Sequence, residues 1–314
     1  MLRTNDCCLT FEIMIAVIGS SNTDMVIKTE HLPAPGETIL GGSFFMNGGG
    51  KGANQAVAAA RLNGDVYFIA KVGNDVFGKQ AIELFNKENI KTEYVFTDDT
   101  NPSGVALITV DAKGENCIAV AQGANAHLSM DDIKKADKVL QQADIILVQL
   151  EIPVETIEYI SAFAGRYNKK LILNPAPACI LPDKLLSNIS IITPNETEAG
   201  MLAGIEVNDI DSAKQAAVIL SAKKIETVII TLGIEGALLY HQNIFKLIPA
   251  NKVTAVDTTA AGDVFNGALA VALSEKKSLE DSIRFANLAA SISVTRFGAQ
   301  ASAPHRYEPG LLHP

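Results

Sequence analysis

Six short apolar runs, IAVIGS, VYFIAKVG, DIILVQL, KKLILNPAP, ISIITPN and TVIITLG, alternate with longer helical patterns along the chain. No other feature constrains the fold as much. Each run is short and mostly ends in turn residues, as buried parallel strands do. The intervening stretches include ANQAVAAARLNG, which reads as a helix stopping at Gly64, FGKQAIELFNKEN, and residues Ser212 to Lys224. Strands alternating with helices of this length imply βαβ units. The expected fold is an α/β three-layer sandwich: a mostly parallel central sheet flanked by helices.

Two stretches break the rhythm. Residues 24–47 contain LPAPGETILGGSFF, with turn residues and β-prone runs but no helical pattern. Residues 103–121, SGVALITVDAKGENCIAVA, read as a hairpin turning around Asp111 to Gly114. Both are expected to form a small second sheet, a lid over the main one. Neither a low-complexity linker nor an internal repeat interrupts the chain, so residues 1–314 read as one domain carrying two insertions.

Composition bounds the function. Hydrophobic residues make up 48% and charged residues 19%, as in an ordinary globular protein. A net charge of -9 argues against nucleic acid or an anionic membrane as partner, though a local backbone site can still hold an anion. No apolar run reaches the length of about 20 residues that a membrane helix needs. Cys7, Cys8, Cys117 and Cys179 lack metal-ligand spacing and read as reduced thiols in a cytoplasmic protein. The leading MLRTNDCCLTFEI lacks the continuous apolar core of a signal peptide; it is expected to be a dispensable extension or a misassigned start before Met14.

Chemistry concentrates where strands end. DTTAAGDVFNGALA (Asp257 to Ala270) places Asp263 after an Ala-Ala-Gly turn and before an apolar helix. The carboxylate reads either as a helix cap or as a general base beside a bare backbone cradle for phosphate. NGGGKGANQ (Asn47 to Gln55) sets four glycines around Lys51 at a helix start, where free N–H groups can face a ligand. It is not a Walker A loop, because Gly52 follows the lysine. GSSNTD (Gly19 to Asp24) lies at the end of the first strand, so Asn22 and Asp24 suit either sugar hydroxyls or an Asx turn. In TPNETEA (Thr193 to Ala199), Asn195 and Glu198 suit either a hydrated Mg²⁺ or a capping box. Glu151, after ILVQL, suits a hydroxyl ligand or a solvated loop charge.

Taken together, GGGKGANQAVAAARL and DTTAAGDVFNGALA resemble the two signature segments of the ribokinase-like carbohydrate kinase family. NPAP, TPNETEA and TLGIEGA lie between them in that family's order, and PGET, SGVALI and RFGAQASAP also match. The resemblance runs from about Ile15 to Pro304. It implies ATP-dependent phosphorylation of D-ribose at its 5-hydroxyl, with Asp263 as base and the Ala260, Ala261 and Gly262 backbone as anion hole. Asn22, Asp24, Gly50, Lys51, Gly52, Asn54 and Glu151 would hold the sugar. Asn195, Thr231, Gly233, Gly236 and Gly262 would line the nucleotide phosphates, with Glu198 acting on Mg²⁺ through water. Asn287 stands where many members carry a histidine near adenine.

The resemblance also implies a K⁺ site. Its ligands would be the Asp257 carboxylate, the Ser302 hydroxyl and the carbonyls of Thr259, Ser293, Arg296 and Gly298. Exposed lid edges would invite a second copy, so a homodimer is expected. Alternatives are a kinase for deoxyribose, fructose or a nucleoside, or a sugar-binding regulator that lost catalysis. The intact Asp263 and glycine turn count against the regulator.

Overall fold

The computed structural model describes residues 14–40 and 42–312. The strands are β1 (Met14–Ile18), β2 (Asn22–Lys28), β3 (Ser43–Gly49), β4 (Asp65–Gly73), β5 (Lys91–Asp98), β6 (Gly104–Val110), β7 (Asn116–Ala121), β8 (Ile145–Val148), β9 (Lys170–Leu173), β10 (Ile191–Ile192), β11 (Thr227–Thr231), β12 (Ala237–His241) and β13 (Ile244–Ile248). The helices are α1 (Lys51–Arg61), α2 (Val76–Lys87), α3 (Met130–Lys135), α4 (Asp137–Gln142), α5 (Val154–Tyr167), α6 (Asp183–Leu186), α7 (Glu196–Ala203), α8 (Ile210–Ala222), α9 (Ala261–Ser274), α10 (Leu279–Ser293) and α11 (Pro309–Leu312). Cys7 and Cys8, with the rest of the leading segment, lie outside the described residues.

Nine strands form the central sheet in the order β13-β12-β11-β10-β9-β8-β1-β4-β5. Pairing is parallel from β5 to β11, and β12 and β13 add antiparallel at one edge. Side chains alternate across each strand, so one sequence feeds two cores. Ile15 and Val17 of β1 pack with α1, α9 and α10 on one face. Ala16 and Ile18 pack with residues of α3 to α8 on the other. That double burial is why the strands read as unbroken apolar runs.

The two insertions form the second sheet, in the order β3-β2-β6-β7. Its hairpin turns where expected, with Gly114 N–H donating to Asp111 O at 3.1 Å. Two expectations need correction. The strand in ISIITPN shrinks to Ile191 and Ile192, because Pro194 cannot donate to a ladder. The left-handed residue ending α1 is Asn63 (φ 69), one before Gly64; asparagine tolerates that region better than most side chains.

Candidate active site

The site lies at the C-terminal ends of β1, β8, β9 and β10, between the main sheet and the lid. Open α/β sheets bind ligands there because helix N-termini converge on that edge.

Asp263 is the third residue of α9, and the cap position belongs to Ala260, a left-handed residue (φ 59) with no side-chain cap bond. The capping role for Asp263 is thereby overturned. Both carboxylate oxygens are instead taken by side chains of α1: Asn54 Nδ2 donates to Oδ2 at 2.9 Å and Gln55 Nε2 to Oδ1 at 2.9 Å. The carboxylate is buried, at 5% exposure. Burial pushes its pKa up, against the opposing pull of Lys51 and the two amide donors.

Ala261 N–H donates to Thr258 O, but among the described residues the N–H groups of Gly262 and Asp263 find no acceptor. A Cβ on Gly262 would meet only open space. The start of α9 therefore presents free donors and a positive helix end to an open cleft.

Across the cleft, α1 starts at Gly50, whose φ of 88 favours glycine. A Cβ on Gly52 would lie 2.6 Å from the Ser20 backbone nitrogen, so the helix can approach the end of β1 only without a side chain there. Glu151 closes this helix end from the loop after β8: its Oε2 accepts from Lys51 N–H at 2.9 Å and from Ser20 Oγ at 2.5 Å. Glu151 is thus neither a solvated charge nor only a ligand, because half of its carboxylate caps α1. Burial opposes charge on Lys51, but Asp263, Glu151 and Glu198 outweigh it and raise the lysine pKa. The ammonium therefore stays charged among these carboxylates.

Asp24 faces the same cleft from β2. Burial, then the charges of Glu151 and Asp263, push its pKa up to about 6. Asn22 is buried, with its Oδ1 accepting from Asn125 Nδ2 at 2.7 Å. Asn54 Oδ1 is buried without a donor among the described residues. An unpaired buried acceptor is costly, so it is an opening for a ligand hydroxyl.

Asn195 and Glu198 form the capping box: Asn195 N–H donates to Glu198 Oε2 at 2.9 Å and Glu198 N–H to Asn195 Oδ1 at 2.8 Å. Burial raises the Glu198 pKa despite the Asn195 N–H bond and Lys51, so its carboxylate belongs electrostatically to the same cleft. Thr231 N–H donates to Pro194 O, and the turn between Gly233 and Gly236 closes through Leu232 N–H to Gly236 O at 2.8 Å. Asn287 is buried and spends its amide nitrogen on the carbonyls of Ile248 and Pro249. It therefore shapes the loop after β13.

Of the candidate cation ligands, Asp257, Thr259 and Gly298 are brought into contact. Asp257 accepts from Thr259 N–H and Gly298 N–H, each at 2.9 Å. Burial would raise its pKa, but these donors, with Lys28 at longer range, hold it below the usual range. Ser302 is fully buried, donating to Ala299 O at 2.8 Å with its lone pairs available. Ser293 ends α10 and the Arg296 side chain turns away to pair with Glu308. Carboxylate, hydroxyl and helix-end carbonyls suit a large, weakly hydrated cation.

Sequence reasoning missed Gln55, Asn125, Gln149 and Asn266, gave Asn174 no role, and offered Thr193 only as an alternative cap to Asn195, although all are buried and polar; the cap is Asn195. Gln55, Thr193, Asn174 and Asn266 lie inside the quoted motifs NGGGKGANQ, TPNETEA, NPAP and DTTAAGDVFNGALA, but the side chains singled out there were their neighbours.

Comparisons with known proteins give the family and the fold. The model of the pfkB family carbohydrate kinases matches residues 12–306. The chain is 47% identical over 294 residues to ribokinase of Haemophilus influenzae, covering 94% of this chain and 96% of that one. It is 39% identical over 291 residues to deoxyribokinase of Salmonella typhi, covering 92% and 95%. The solved structure of Arabidopsis thaliana ribokinase complexed with ribose and ATP superposes with a TM-score of 0.88 at 32% identity, covering 96% and 97%.

Proposed function

The chain belongs to the pfkB family of carbohydrate kinases, and we propose that it transfers the γ-phosphoryl group of ATP to the 5-hydroxyl of D-ribose. The observation that carries this reading is the buried Asp263 carboxylate on the first turn of α9, beside free backbone donors. Phosphoryl transfer needs in-line positioning and charge neutralisation more than covalent help.

In this reading Asp263 takes the proton as the 5-oxygen bonds to the γ-phosphorus and the bond to the bridging oxygen of ADP breaks. The Ala260–Gly262 turn stabilises the charge gathering on the transferred group. Asn22, Asp24, Gly50, Lys51, Gly52, Asn54 and Glu151 hold the sugar. Asp24 supports ribose over deoxyribose, since an ionised acceptor can engage vicinal hydroxyls. Asn195, Thr231, Gly233 and Gly236 line the phosphates, and Asn287 sets the loop at the adenine.

Glu198 would hold Mg²⁺ through water, which neutralises phosphate charge when bound. Asp257, Thr259, Ser293, Arg296, Gly298 and Ser302 would hold K⁺, which would stiffen the loop preceding the anion hole. Among the described residues no helix is long and apolar enough to cross a membrane; the cytoplasm is the place proposed for the enzyme.

A coupled ADP-release assay across ribose, 2-deoxyribose, fructose and nucleosides tests the reading. Ribose is expected to give the highest kcat/KM. A higher value for any other acceptor rejects the substrate, and no turnover with any rejects the activity.

A further inference from the structure

Behind Asp263 lies a buried layer of amides with no place in the mechanism above. Gln55 is fully buried. One hydrogen of its Nε2 goes to Asp263 Oδ1 at 2.9 Å and the other to Asn174 Oδ1 at 3.0 Å. Its Oε1 accepts from Gln149 Nε2 at 2.5 Å. Gln149 follows β8 and Asn174 follows β9, so two successive strand ends grip one side chain.

The grip fixes which way the amide faces. Asn174 donates its own Nδ2 to Thr193 O at 3.3 Å, which turns its Oδ1 toward Gln55. A flipped Gln55 would set its oxygen against two acceptors and its nitrogen against the Gln149 donor. Gln149 Oε1 is itself buried without a donor among the described residues. Such an orphan destabilises the fold, and it is tolerated where the other end of the amide is needed.

We propose that Gln55, held by Gln149 and Asn174, is a positioning residue for Asp263 that aims its carboxylate at the acceptor hydroxyl; this rests on the reading of Asp263 as the base. A donor to a buried carboxylate also favours its ionised form, the form able to take a proton. Gln55 therefore acts on both the direction and the readiness of the base, without touching substrate. Gln149 acts one step further back, by denying Gln55 its flipped state.

The test is the pH profile of Gln55→Met, which keeps side-chain length but donates nothing, alongside Gln149→Met and the double variant. For folded Gln55→Met, kcat at neutral pH should fall by roughly 10- to 100-fold while KM for the sugar changes little. The acidic limb of its kcat/KM profile should move up by about one pH unit. Gln149→Met should move the same limb in the same direction by less. The double variant should be no worse than Gln55→Met, because both act through one contact. A parental profile and kcat in Gln55→Met overturns the proposal; if that variant does not fold, the same result in Gln149→Met does. Asp263→Asn separates the two levels. If it retains turnover, the base assignment and the proposal fall together. If it loses turnover while the glutamine variants stay parental, only the proposal falls.

Discussion

Asn125 donates to Asn22 Oδ1 at 2.7 Å, and this bond decides what Asn22 can offer a ligand. Asn125 is anchored by Ser21, whose N–H donates to its Oδ1 at 2.9 Å. The bond turns the Asn22 oxygen toward Asn125 and leaves its Nδ2 hydrogens without an acceptor among the described residues, so Asn22 can serve as a donor beside the acceptor Asp24. Recognition of sugar hydroxyls thus has a fixed polarity, set by a residue about a hundred positions away.

Asn125→Ala should therefore act on sugar binding. A buried amide left half-satisfied costs ~1–3 kcal/mol, or roughly 5- to 150-fold. Steady-state kinetics with the sugar varied should show KM rising within that range and kcat changing less. A parental KM would remove Asn22 from the sugar site.

Asp263→Asn should keep the fold and lose most turnover. The amide offers one acceptor and one donor to partners that both donate, Asn54 and Gln55. Removing a general base typically costs ~10²–10⁴-fold in rate. Single-turnover rates at saturating sugar and ATP measure this, and near-parental chemistry in a folded variant would dismiss the base.

Asp24 predicts a pH dependence whose sign can be worked out. Its pKa in the folded protein is pushed from 3.8 up to about 6. Its contribution to stability is therefore full below the unfolded value and lost as pH rises through about 6. Asp24→Asn should match the parent near pH ~3.5 and exceed it in Tm above pH ~6. Sugar binding runs the other way, since the ionised form is the acceptor, so the parent's KM should rise as pH falls below about 6. Identical pH dependence of Tm in parent and variant would show that Asp24 carries no such shift.

The alternation of apolar runs made the parallel sheet and its two helical layers legible, because burial on both faces erases polar residues from a strand. The edge hairpin β12–β13 was not read. Its turn, Gln242 and Asn243 at φ 50 and 62, lacks the glycine that flags such loops. At the site, residues beside glycines or at strand ends stood out. The amide layer did not, although Gln149 and Asn174 also follow strands, since Gln55 reaches Asp263 across 208 positions and no local pattern links its members. The Asn195–Glu198 pair was legible in both its readings, and the structure supplies the capping box.

The lid predicts self-association. Strand register places Ile27, Phe44, Met46 and Leu107 on one face, and Phe44 and Leu107 are 60% and 56% exposed. Apolar faces on a sheet with open edges favour a second copy. Sedimentation at micromolar concentration should give a homodimer, and a monomer across that range would exclude it.

The final prediction concerns K⁺. Asp257 ties its own loop to the segment after α10 through Gly298 N–H, and Val294 O accepts from both Val256 and Asp257 N–H. These contacts hold two distant segments together, with Ala260 only three residues on from Asp257. A cation drawing on the Asp257 carboxylate, the Ser302 hydroxyl and nearby carbonyls would stiffen the approach to the anion hole without touching substrate. Potassium should raise kcat or lower KM, and Na⁺ should substitute poorly, because the smaller ion holds its water more tightly. Asp257→Ala should blunt the response while leaving some basal turnover, since the phosphate donors sit on α9 itself. The comparison is between K⁺-containing and K⁺-free buffers of matched ionic strength, because Asp257 and Lys28 also interact electrostatically and salt screens such pairs. Equal rates in the two buffers would dismiss the site, and an equal K⁺ response in Asp257→Ala would place the cation elsewhere.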